Sequence, residues 1–306
     1  MNKTMPTVSV IIPAKDAAEG LPRALESIAA QTYQNIIEII VAVADTATSD
    51  AAIGSKVIEN PSGSTPVGLN QAIKASSGDV IVRCDVHSVL PKDYVTRAVE
   101  TLQRTGAANV GGMQVPKGTT FWERAIAAAM TSRLGAGDAR YRIGGEEGPV
   151  ETVYLGVFRR DVLARLRGFD ESFPRTQDYE LNHRIIESGG VVWFDPELRV
   201  EYRPRGSLRS LTSQYFQYGL AKRRFNRKHP GGLRWRQTAS PLALIAVVIC
   251  LLTAVRYPIA LVIPAVYLAA LTIQGIRAAQ GKASWIGTAA ALFTMHMTWG
   301  AGFLRG

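Results

Sequence analysis

Residues 78–95, GDVIVRCDVHSVLPKDYV, contain an apolar run that stops abruptly at polar side chains. The run over residues 79–83 is rich in β-branched residues and predicts a strand that ends at Cys84 and Asp85. His87 follows Asp85 at i+2, so both side chains can point into one crevice at the strand end. The Asp-x-His triplet alone is weak evidence, since a turn residue and a surface histidine explain it equally well.

The sequence before this stretch alternates strands with single helices. Strands are predicted over residues 7–13, 36–44 and 57–58, and helices over residues 21–31 and 68–76. This order predicts an α/β fold with a mostly parallel sheet covered by helices on both faces. Ligands of such sheets bind beyond the carboxyl ends of the strands. The polar residues expected at those ends are Lys15, Asp16, Asp45, Asn60, Asp85 and His87.

The familiar phosphate-binding signatures are missing from the sequence. No G-x-G-x-x-G follows the first strand, and no G-x-x-x-x-G-K-[ST] occurs. This disfavours a dinucleotide-dependent dehydrogenase and a P-loop enzyme. The remaining way to hold a pyrophosphate in this crevice is a divalent ion bound by oxygen or imidazole ligands.

The net charge of +10 is unevenly distributed along the 306 residues. The last acidic residue is Glu201, so all 25 acids lie in the first 201 residues, together with 21 of the 35 Lys and Arg. The chain therefore consists of a mildly acidic domain and a basic tail. The two cysteines, Cys84 and Cys250, have no C-x-x-C spacing, which predicts neither a disulfide framework nor a thiolate zinc site.

Three apolar runs occupy the tail, at residues 238–255, 259–273 and 283–304. The first two predict membrane spans, because a span needs about 17–25 apolar residues. The third contains His296 and several glycines and is compatible with a span or with a re-entrant or interfacial segment. Buried core helices are the alternative for all three. The predicted domains are 1–204 (catalytic), 205–237 (basic, amphipathic and juxtamembrane) and 238–306 (two to three membrane helices).

A basic stretch interleaved with aromatic residues precedes the first run, at residues 215–236. Basic residues beside a span favour the cytoplasmic side, and aromatic residues favour the headgroup level. Residues 1–237 are therefore expected to be cytoplasmic and to lie against anionic lipid. No nucleic-acid module surrounds the patch, so nucleic acid is not an expected partner. Residues 1–7 are polar and the next apolar run ends at Pro13, so no signal peptide is expected at the N-terminus.

A series of motifs in order carries a family resemblance. They are VSVIIPAKD (8–16), VADTATSD (43–50), NPSGSTPVGLNQAI (60–73), GDVIVRCDVHSVLPKDYV (78–95), NVGGMQ (109–114), ETVYLGVFRRDVL (151–163), GFDESF (168–173), TQDYELNHRI (176–185), QYFQYG (214–219) and HMTWGAGFLRG (296–306). The chain resembles the inverting family 2 glycosyltransferases of the GT-A fold, and within them the succinoglycan-biosynthesis-type enzymes with a membrane tail. The resemblance extends over nearly the whole chain.

The resemblance implies a donor site for an NDP-sugar at the first strand ends. Pro13, Lys15 and Asp16 would border the nucleobase and ribose, and Asp45 would accept a hydrogen bond from the base. A turn-forming role is the alternative for Asp45. Asn70 would lie near the base or the diphosphate, although an ordinary helix-surface asparagine is almost as good an explanation.

The resemblance also implies a metal site and a catalytic base. Asp85 would contact the ribose or the metal, and His87 would ligate the bridging Mg²⁺ or Mn²⁺, with imidazole favouring Mn²⁺. Asp178 would take the proton of the acceptor hydroxyl. Family members usually carry two adjacent acids, and the first of them is replaced here by Gln177, which predicts a lower pKa for Asp178 than a paired site would give.

Four residues before the tail resemble the segment that closes over the diphosphate in membrane relatives. They are Gln214, Gln217, Arg223 and Arg224. Contact with lipid headgroups is an equally good explanation for them.

The resulting hypothesis is a bacterial inner-membrane, multi-pass glycosyltransferase with a cytoplasmic catalytic domain. It would transfer a hexose from an NDP-sugar, UDP being favoured, to a polyprenyl-diphosphate-linked saccharide in exopolysaccharide or cell-envelope glycan synthesis. Its partners would be the donor, the lipid-linked acceptor and the membrane. The alternatives are a polyprenyl-monophosphate glycosyltransferase and a catalytically silent nucleotide-sugar-binding scaffold.

Overall fold

The structure, a computed structural model, describes residues 5–231 and 235–306 and divides into two compact units. The first unit contains the residues up to Val115 together with Ala139–Tyr202. The second contains Pro116–Asp138 together with Arg203–Gly306. Residues 116–138 thus lie between two parts of the first unit in sequence but belong to the second, a division that the predicted domain boundaries did not include.

The first unit alternates strands and helices, as its sequence predicts. Its elements are β1 (Val8–Ala14), α1 (Leu21–Ala29), β2 (Ile36–Val43), α2 (Thr46–Asp50), β3 (Lys56–Glu59), α3 (Thr65–Ala75), β4 (Val80–Arg83), α4 (Tyr94–Thr105), β5 (Asn109–Pro116), α7 (Arg140–Ile143), β6 (Gly148–Pro149), β7 (Tyr154–Arg159), α8 (Arg160–Arg165), α9 (Gln177–Glu187) and β8 (Val192–Tyr202).

One eight-stranded sheet forms the centre of this unit, in the order β3-β2-β1-β4-β7-β5-β8-β6. Strands β3, β2, β1 and β4 run parallel to one another. The pairings of β7 with β4 and with β5, and of β6 with β8, are antiparallel. The predicted α/β fold with a mostly parallel sheet is therefore confirmed, with the antiparallel pairings confined to β5, β6, β7 and β8 and the contact of β7 with β4.

Apolar side chains on alternate strand positions bury both faces of the sheet. Val10 and Ile12 belong to a core with α1 and α4, whereas Ile11 belongs to a second core with α3, α8 and α9. This follows from the two-residue period of a strand. Because both faces are covered by helices, the polar crevice can form only at the ends of the strands.

The second unit is helical. It contains α5 (Phe121–Met130), α6 (Arg133–Ala136), α10 (Leu208–Lys228), α11 (Trp235–Ala254), a short 3₁₀ helix (Pro258–Leu261), α12 (Val262–Ala279) and α13 (Trp285–Arg305). Within the described residues, two segments are long and apolar enough to cross a membrane, Gln237–Ala254 and Pro258–Ala279. These coincide with the first two apolar runs of the tail.

Helix α13 occupies the middle of the second unit and contacts α5, α10, α11 and α12. Small residues permit this packing, since a Cβ at Gly219 of α10 would lie 2.1 Å from the main-chain oxygen of Trp299. The third apolar run of the sequence forms this helix, and Leu292 and Met295 are buried in it. Its own small and polar residues also face neighbouring helices, since a Cβ at Gly300 would lie 2.7 Å from the main-chain oxygen of Ser240, and His296 Nδ1 lies 2.9 Å from the Tyr267 hydroxyl.

Candidate active site

The carboxyl ends of β1, β2 and β4 lie side by side because these strands are parallel neighbours. Ala14 of β1 pairs with Val43 of β2, and Ile11 of β1 pairs with Arg83 of β4. This register brings the segments that follow the three strands to one edge of the sheet. These segments contain Asp16, Asp45 and Asp85, so the predicted convergence of the strand-end residues is observed.

Asp45 connects two of the loops at this edge. Its Oδ1 accepts the main-chain N–H of Thr48 at 2.8 Å, which caps the short helix α2. Its Oδ2 accepts the Thr48 hydroxyl at 2.8 Å and the main-chain N–H of Asp16 at 3.0 Å. These bonds hold the pKa of Asp45 below its usual range. The turn-forming role is therefore present, and contact with a nucleobase stays a prediction.

Lys15 and Asp16 are exposed in the loop after β1, and Pro13 is half-buried just before it. The Lys15 side chain lies against Gly63, where an added Cβ would come within 2.6 Å of its Cδ. Gly63 also has a φ of +59°, which favours glycine. The turn after β3 therefore supports the lysine stem at the edge of the crevice.

Arg83 joins Asp85, the predicted metal or ribose ligand, to Asp178, the predicted base. Its Nε and Nη2 donate to Oδ1 of Asp85 at 3.1 and 2.9 Å, and its Nη1 donates to Oδ1 of Asp178. The Arg83 side chain is 5% exposed, whereas those of Asp85 and Asp178 are 31% and 36% exposed. The arginine is thus buried beneath two carboxylates that face the solvent.

The surroundings of Asp178 raise the pKa of its carboxyl above the usual range. Partial burial is the main cause, Arg83 opposes it, and the nearby charge of Asp85 adds to it. That Gln177 keeps this pKa below that of a site with two adjacent acids stays a prediction. Although position 177 carries no acid, Asp178 still has a negative charge beside it, because Asp85 supplies one from the end of β4.

His87 is exposed, two residues beyond Asp85. Its ring lies against the start of α1, since a Cβ at Gly20 would be 3.1 Å from His87 Nδ1 and 2.8 Å from the carbonyl oxygen of Val86. Gly20, which the sequence did not single out, leaves the room that the histidine occupies.

Three residues near the site adopt backbone conformations that non-glycine residues rarely take. Thr176, at the start of α9, has a φ of 62°, Leu155, near the start of β7, has a φ of 48°, and Asp16, in the loop after β1, has a φ of 49°. The first directs the chain into the helix turn that carries Asp178. Such outliers concentrate at functional sites, where the surrounding structure holds them in place.

Asn70 has another use in the structure. Its Nδ2 donates to the main-chain oxygen of Phe169 at 2.8 Å and to Glu171 Oε1 at 2.9 Å. Its Oδ1 accepts the main-chain N–H of Phe169 at 2.8 Å. These bonds hold the loop before α9 in position, and contact of Asn70 with the donor stays a prediction.

Gln214, Gln217, Arg223 and Arg224 all lie on α10 of the second unit. Gln214 Nε2 donates to the Tyr218 hydroxyl at 3.2 Å. The Arg223 guanidinium lies over the ring of Phe303, 5.5 Å from its centroid. Gln217 and Arg224 are exposed. Diphosphate or lipid contact by these four residues also stays a prediction.

A solved structure defines the class of this fold. The mannosyltransferase PcManGT from Pyrobaculum calidifontis, in complex with GDP-Man and Mn²⁺, superposes with a TM-score of 0.69. The match covers 96% of this chain and 86% of that chain at 18% sequence identity. The first unit thus has the GT-A fold, as the sequence predicts.

Sequence comparisons identify the family. The model of glycosyl transferase family 2 matches residues 9–167. The succinoglycan biosynthesis protein ExoA of Rhizobium meliloti (strain 1021) is 31% identical over 252 residues, which cover 81% of this chain and 76% of that protein. A glucuronosyltransferase of Methanococcus voltae that acts on a dolichyl N-acetylglucosaminyl phosphate is 24% identical over 82% of this chain and 78% of its own length. The chain belongs to glycosyltransferase family 2, and the protein is a transferase enzyme.

Proposed function

We propose that the protein transfers a hexose, with inversion, from an NDP-sugar to a polyprenyl-diphosphate-linked saccharide. The sharing of Arg83 between Asp85 and Asp178 carries this proposal. In the part of the chain that the structure describes, Arg83 bonds Oδ1 of each carboxylate and no donor bonds either Oδ2. One oxygen of each carboxylate therefore remains for substrate, and both side chains are about one-third exposed.

Asp178 acts as the general base in this reaction. Its Oδ2 takes the proton of an acceptor hydroxyl while the acceptor oxygen forms a bond to the anomeric carbon. The bond from that carbon to the diphosphate oxygen breaks, and the nucleoside diphosphate leaves with the electron pair. Attack from the face opposite the leaving group inverts the configuration, so an α-linked donor gives a β-linked product. A pKa raised by burial makes Asp178 a stronger base than a solvated aspartate.

The residues at the end of β4 fit a divalent ion. Asp85 offers an unbonded carboxylate oxygen, and the exposed His87 offers an imidazole nitrogen. This donor set suits Mn²⁺ or Mg²⁺, with the imidazole favouring Mn²⁺. When bound, the ion neutralises the charge that develops on the departing diphosphate. PcManGT was solved with GDP-Man and Mn²⁺, which supports a metal-dependent sugar nucleotide donor.

The donor would occupy the edge formed by the loops after β1 and β2. Pro13, Lys15 and Asp16 border this edge together with Asp45, and the exposed Lys15 supplies a positive charge. UDP is the favoured nucleotide. Asn70 would contribute through the loop that it holds.

In this proposal the protein is anchored in a membrane, which also contains the lipid-linked acceptor. Two candidate spans follow the basic helix α10, on which Gln214, Gln217, Arg223 and Arg224 would contact lipid headgroups or the lipid diphosphate. The name of the dolichyl-phosphate relative supports a lipid-linked glycan as acceptor, and the name of the succinoglycan relative supports a role in polysaccharide synthesis. We place the protein in the bacterial inner membrane, with its GT-A unit cytoplasmic and its product in exopolysaccharide or cell-envelope glycan synthesis.

The test is a transfer assay with the full chain in detergent. The protein is incubated with Mn²⁺, radiolabelled UDP- or GDP-hexoses, and either a polyprenyl-diphosphate-linked saccharide or a polyprenyl monophosphate. We expect labelled product on the diphosphate-linked saccharide. Product on the monophosphate alone would favour the polyprenyl-monophosphate glycosyltransferase. Binding of nucleotide without any lipid-linked product would contradict both.

A further inference from the structure

We propose that Arg83 is a positioning residue that sets the distance and orientation of the catalytic base relative to the donor site. This inference rests on the proposed function, because it assigns Asp178 to the acceptor and Asp85 to the donor or its metal. The two carboxylates come from distant parts of the chain, one at the end of β4 and the other in the first turn of α9. Arg83 is the side chain that bonds both.

The donor geometry of arginine suits this task. A guanidinium is planar, and its N–H groups point in fixed directions. Here Nε and Nη2 are both directed to Asp85, while Nη1 is directed to Asp178. The two bonds to Asp85 therefore fix the orientation of the guanidinium, and this orientation sets the direction of the bond from Nη1 to Asp178. A lysine ammonium is a compact point charge on a flexible stem, so it cannot impose this relation.

The three hydrogen bonds of the Arg83 guanidinium to Asp85 and Asp178, here called the fork, also start from a well-held residue. Arg83 is the last residue of β4, its main chain pairs with Ile11 of β1, and its side chain is 5% exposed. The neighbouring strand β1 thus fixes the main chain from which the Arg83 side chain extends. Asp178 lies in the first turn of α9, which follows the αL conformation of Thr176. Both contacts use Oδ1, so the positioning leaves Oδ2 free to react.

A positioning role predicts a defined kinetic signature. The acceptor hydroxyl must lie between Asp178 and the anomeric carbon, and a misplacement of about 1 Å can cost about 100-fold in rate. Loss of the fork should therefore lower kcat more than it raises either KM. A residue that only stabilises the fold would lower the amount of active protein and leave kcat per folded molecule unchanged.

Arg159 provides a matched control. It is a half-buried arginine of the same sheet and the last residue of β7. Its guanidinium donates to the carbonyl oxygens of Ala107 at 2.9 Å and Leu102 at 2.8 Å. In both contacts the acceptor is a main-chain oxygen. Arg159 pairs in register with Val80, at the start of β4, whereas Arg83 lies at the end of that strand. Arg159→Lys and Arg159→Met test the loss of a half-buried, hydrogen-bonded guanidinium away from the crevice.

The experiment measures kcat and both KM values of the full-length enzyme for Arg83→Lys, Arg83→Met and the two Arg159 variants, each normalised to folded protein. We expect Arg83→Lys to lose about 100-fold in kcat with KM values within about threefold of wild type. Arg83→Met should lose more, so that the lysine gives partial rescue. The Arg159 variants should keep kcat within about threefold.

A double-mutant cycle covers the case in which Arg83→Met does not fold. If Arg83 acts through Asp178, then Arg83→Lys should cost less than about threefold in an Asp178→Asn background. An unchanged cost in that background, or equal effects of the Arg83 and Arg159 variants on kcat, would overturn the inference alone. A wild-type enzyme without transfer activity would overturn the proposed function first, before any variant is compared.

Discussion

Replacing Asp178 by Asn removes the proposed base and leaves its surroundings nearly unchanged. Asparagine has the same shape, and its Oδ1 can still accept a hydrogen bond from Arg83 Nη1. Arg83 also keeps two bonds to Asp85, so its buried charge remains paired. General base catalysis contributes typically about 10²- to 10⁴-fold, which is the expected loss of kcat. Nucleotide binding should persist, because the donor residues lie on other loops.

The stability of this variant can be estimated from the same contacts. The folded protein raises the pKa of Asp178 above its value in the unfolded chain. For a carboxyl with a raised pKa, folding favours the protonated form, and its contribution to stability falls as the pH rises through the two pKa values. A neutral side chain therefore loses nothing on this account at pH 7. The lost ion pair is 36% exposed on the Asp178 side, so its removal should cost at most about 1 kcal/mol.

The assay is lipid-linked transfer at saturating donor and acceptor, with Asp161→Asn as the control. Asp161 forms an exposed ion pair with Arg165 in the same unit, with 66% and 64% of the two side chains exposed. The control should transfer at the wild-type rate. If folded Asp178→Asn kept kcat within about threefold of wild type, the base assignment would be refuted. An intermediate loss with transfer to a lipid monophosphate would favour the alternative that needs no base.

The acid limb of kcat against pH should lie above the ordinary aspartate pKa of 3.8, since Asp178 must be deprotonated and its pKa is raised; a limb at or below 3.8 would contradict this. Gly20→Ala should raise the Mn²⁺ concentration for half-maximal activity, because its Cβ would come within 2.8 Å of the Val86 carbonyl oxygen and 3.1 Å of the His87 ring and so displace the segment that carries the histidine; an unchanged Mn²⁺ titration would contradict a ligand role for His87. Gly219→Ala should lower the thermal midpoint in detergent by several degrees, at a cost of about 1–3 kcal/mol for overpacking against α13. Gly206→Ala, whose Cβ would come no closer than 3.9 Å to its neighbours, is the matched control.

Much of the fold can be predicted from local patterns in the sequence. The apolar residues at 36–44 and 79–83 predict strands that the structure places at Ile36–Val43 and Val80–Arg83. Short β-branched runs between single helices leave few arrangements other than parallel strands. The antiparallel position of β7 could not be predicted this way, because it depends on contacts between distant parts of the chain. The same holds for residues 116–138, which join the second unit.

The sequence predicts the position of the acidic residues of the candidate site but not the contacts between them. The strand-end acids could be located from the order of strands, and Asp45 is found where that reasoning places it. Arg83 was missed, although a charge inside a predicted buried strand is a usable signal, since a buried charge requires a partner. The identity of that partner could not be predicted, because Asp178 lies 95 positions further along the chain. The sequence indicated that Gln177 spares Asp178 the like charge of an adjacent acid, but it could not show that Asp85 supplies a like charge from the end of β4.

The configuration of the product tests the central claim most directly. A full-length enzyme supplied with Mn²⁺, an α-linked sugar nucleotide and a polyprenyl-diphosphate-linked saccharide should yield a lipid-linked glycan whose new bond can be assigned by the one-bond ¹³C–¹H coupling of its anomeric carbon. A single base that takes the acceptor proton during direct displacement predicts a β-linkage, formed by the wild type and lost in Asp178→Asn. An α-linkage made by the wild-type enzyme would contradict the account.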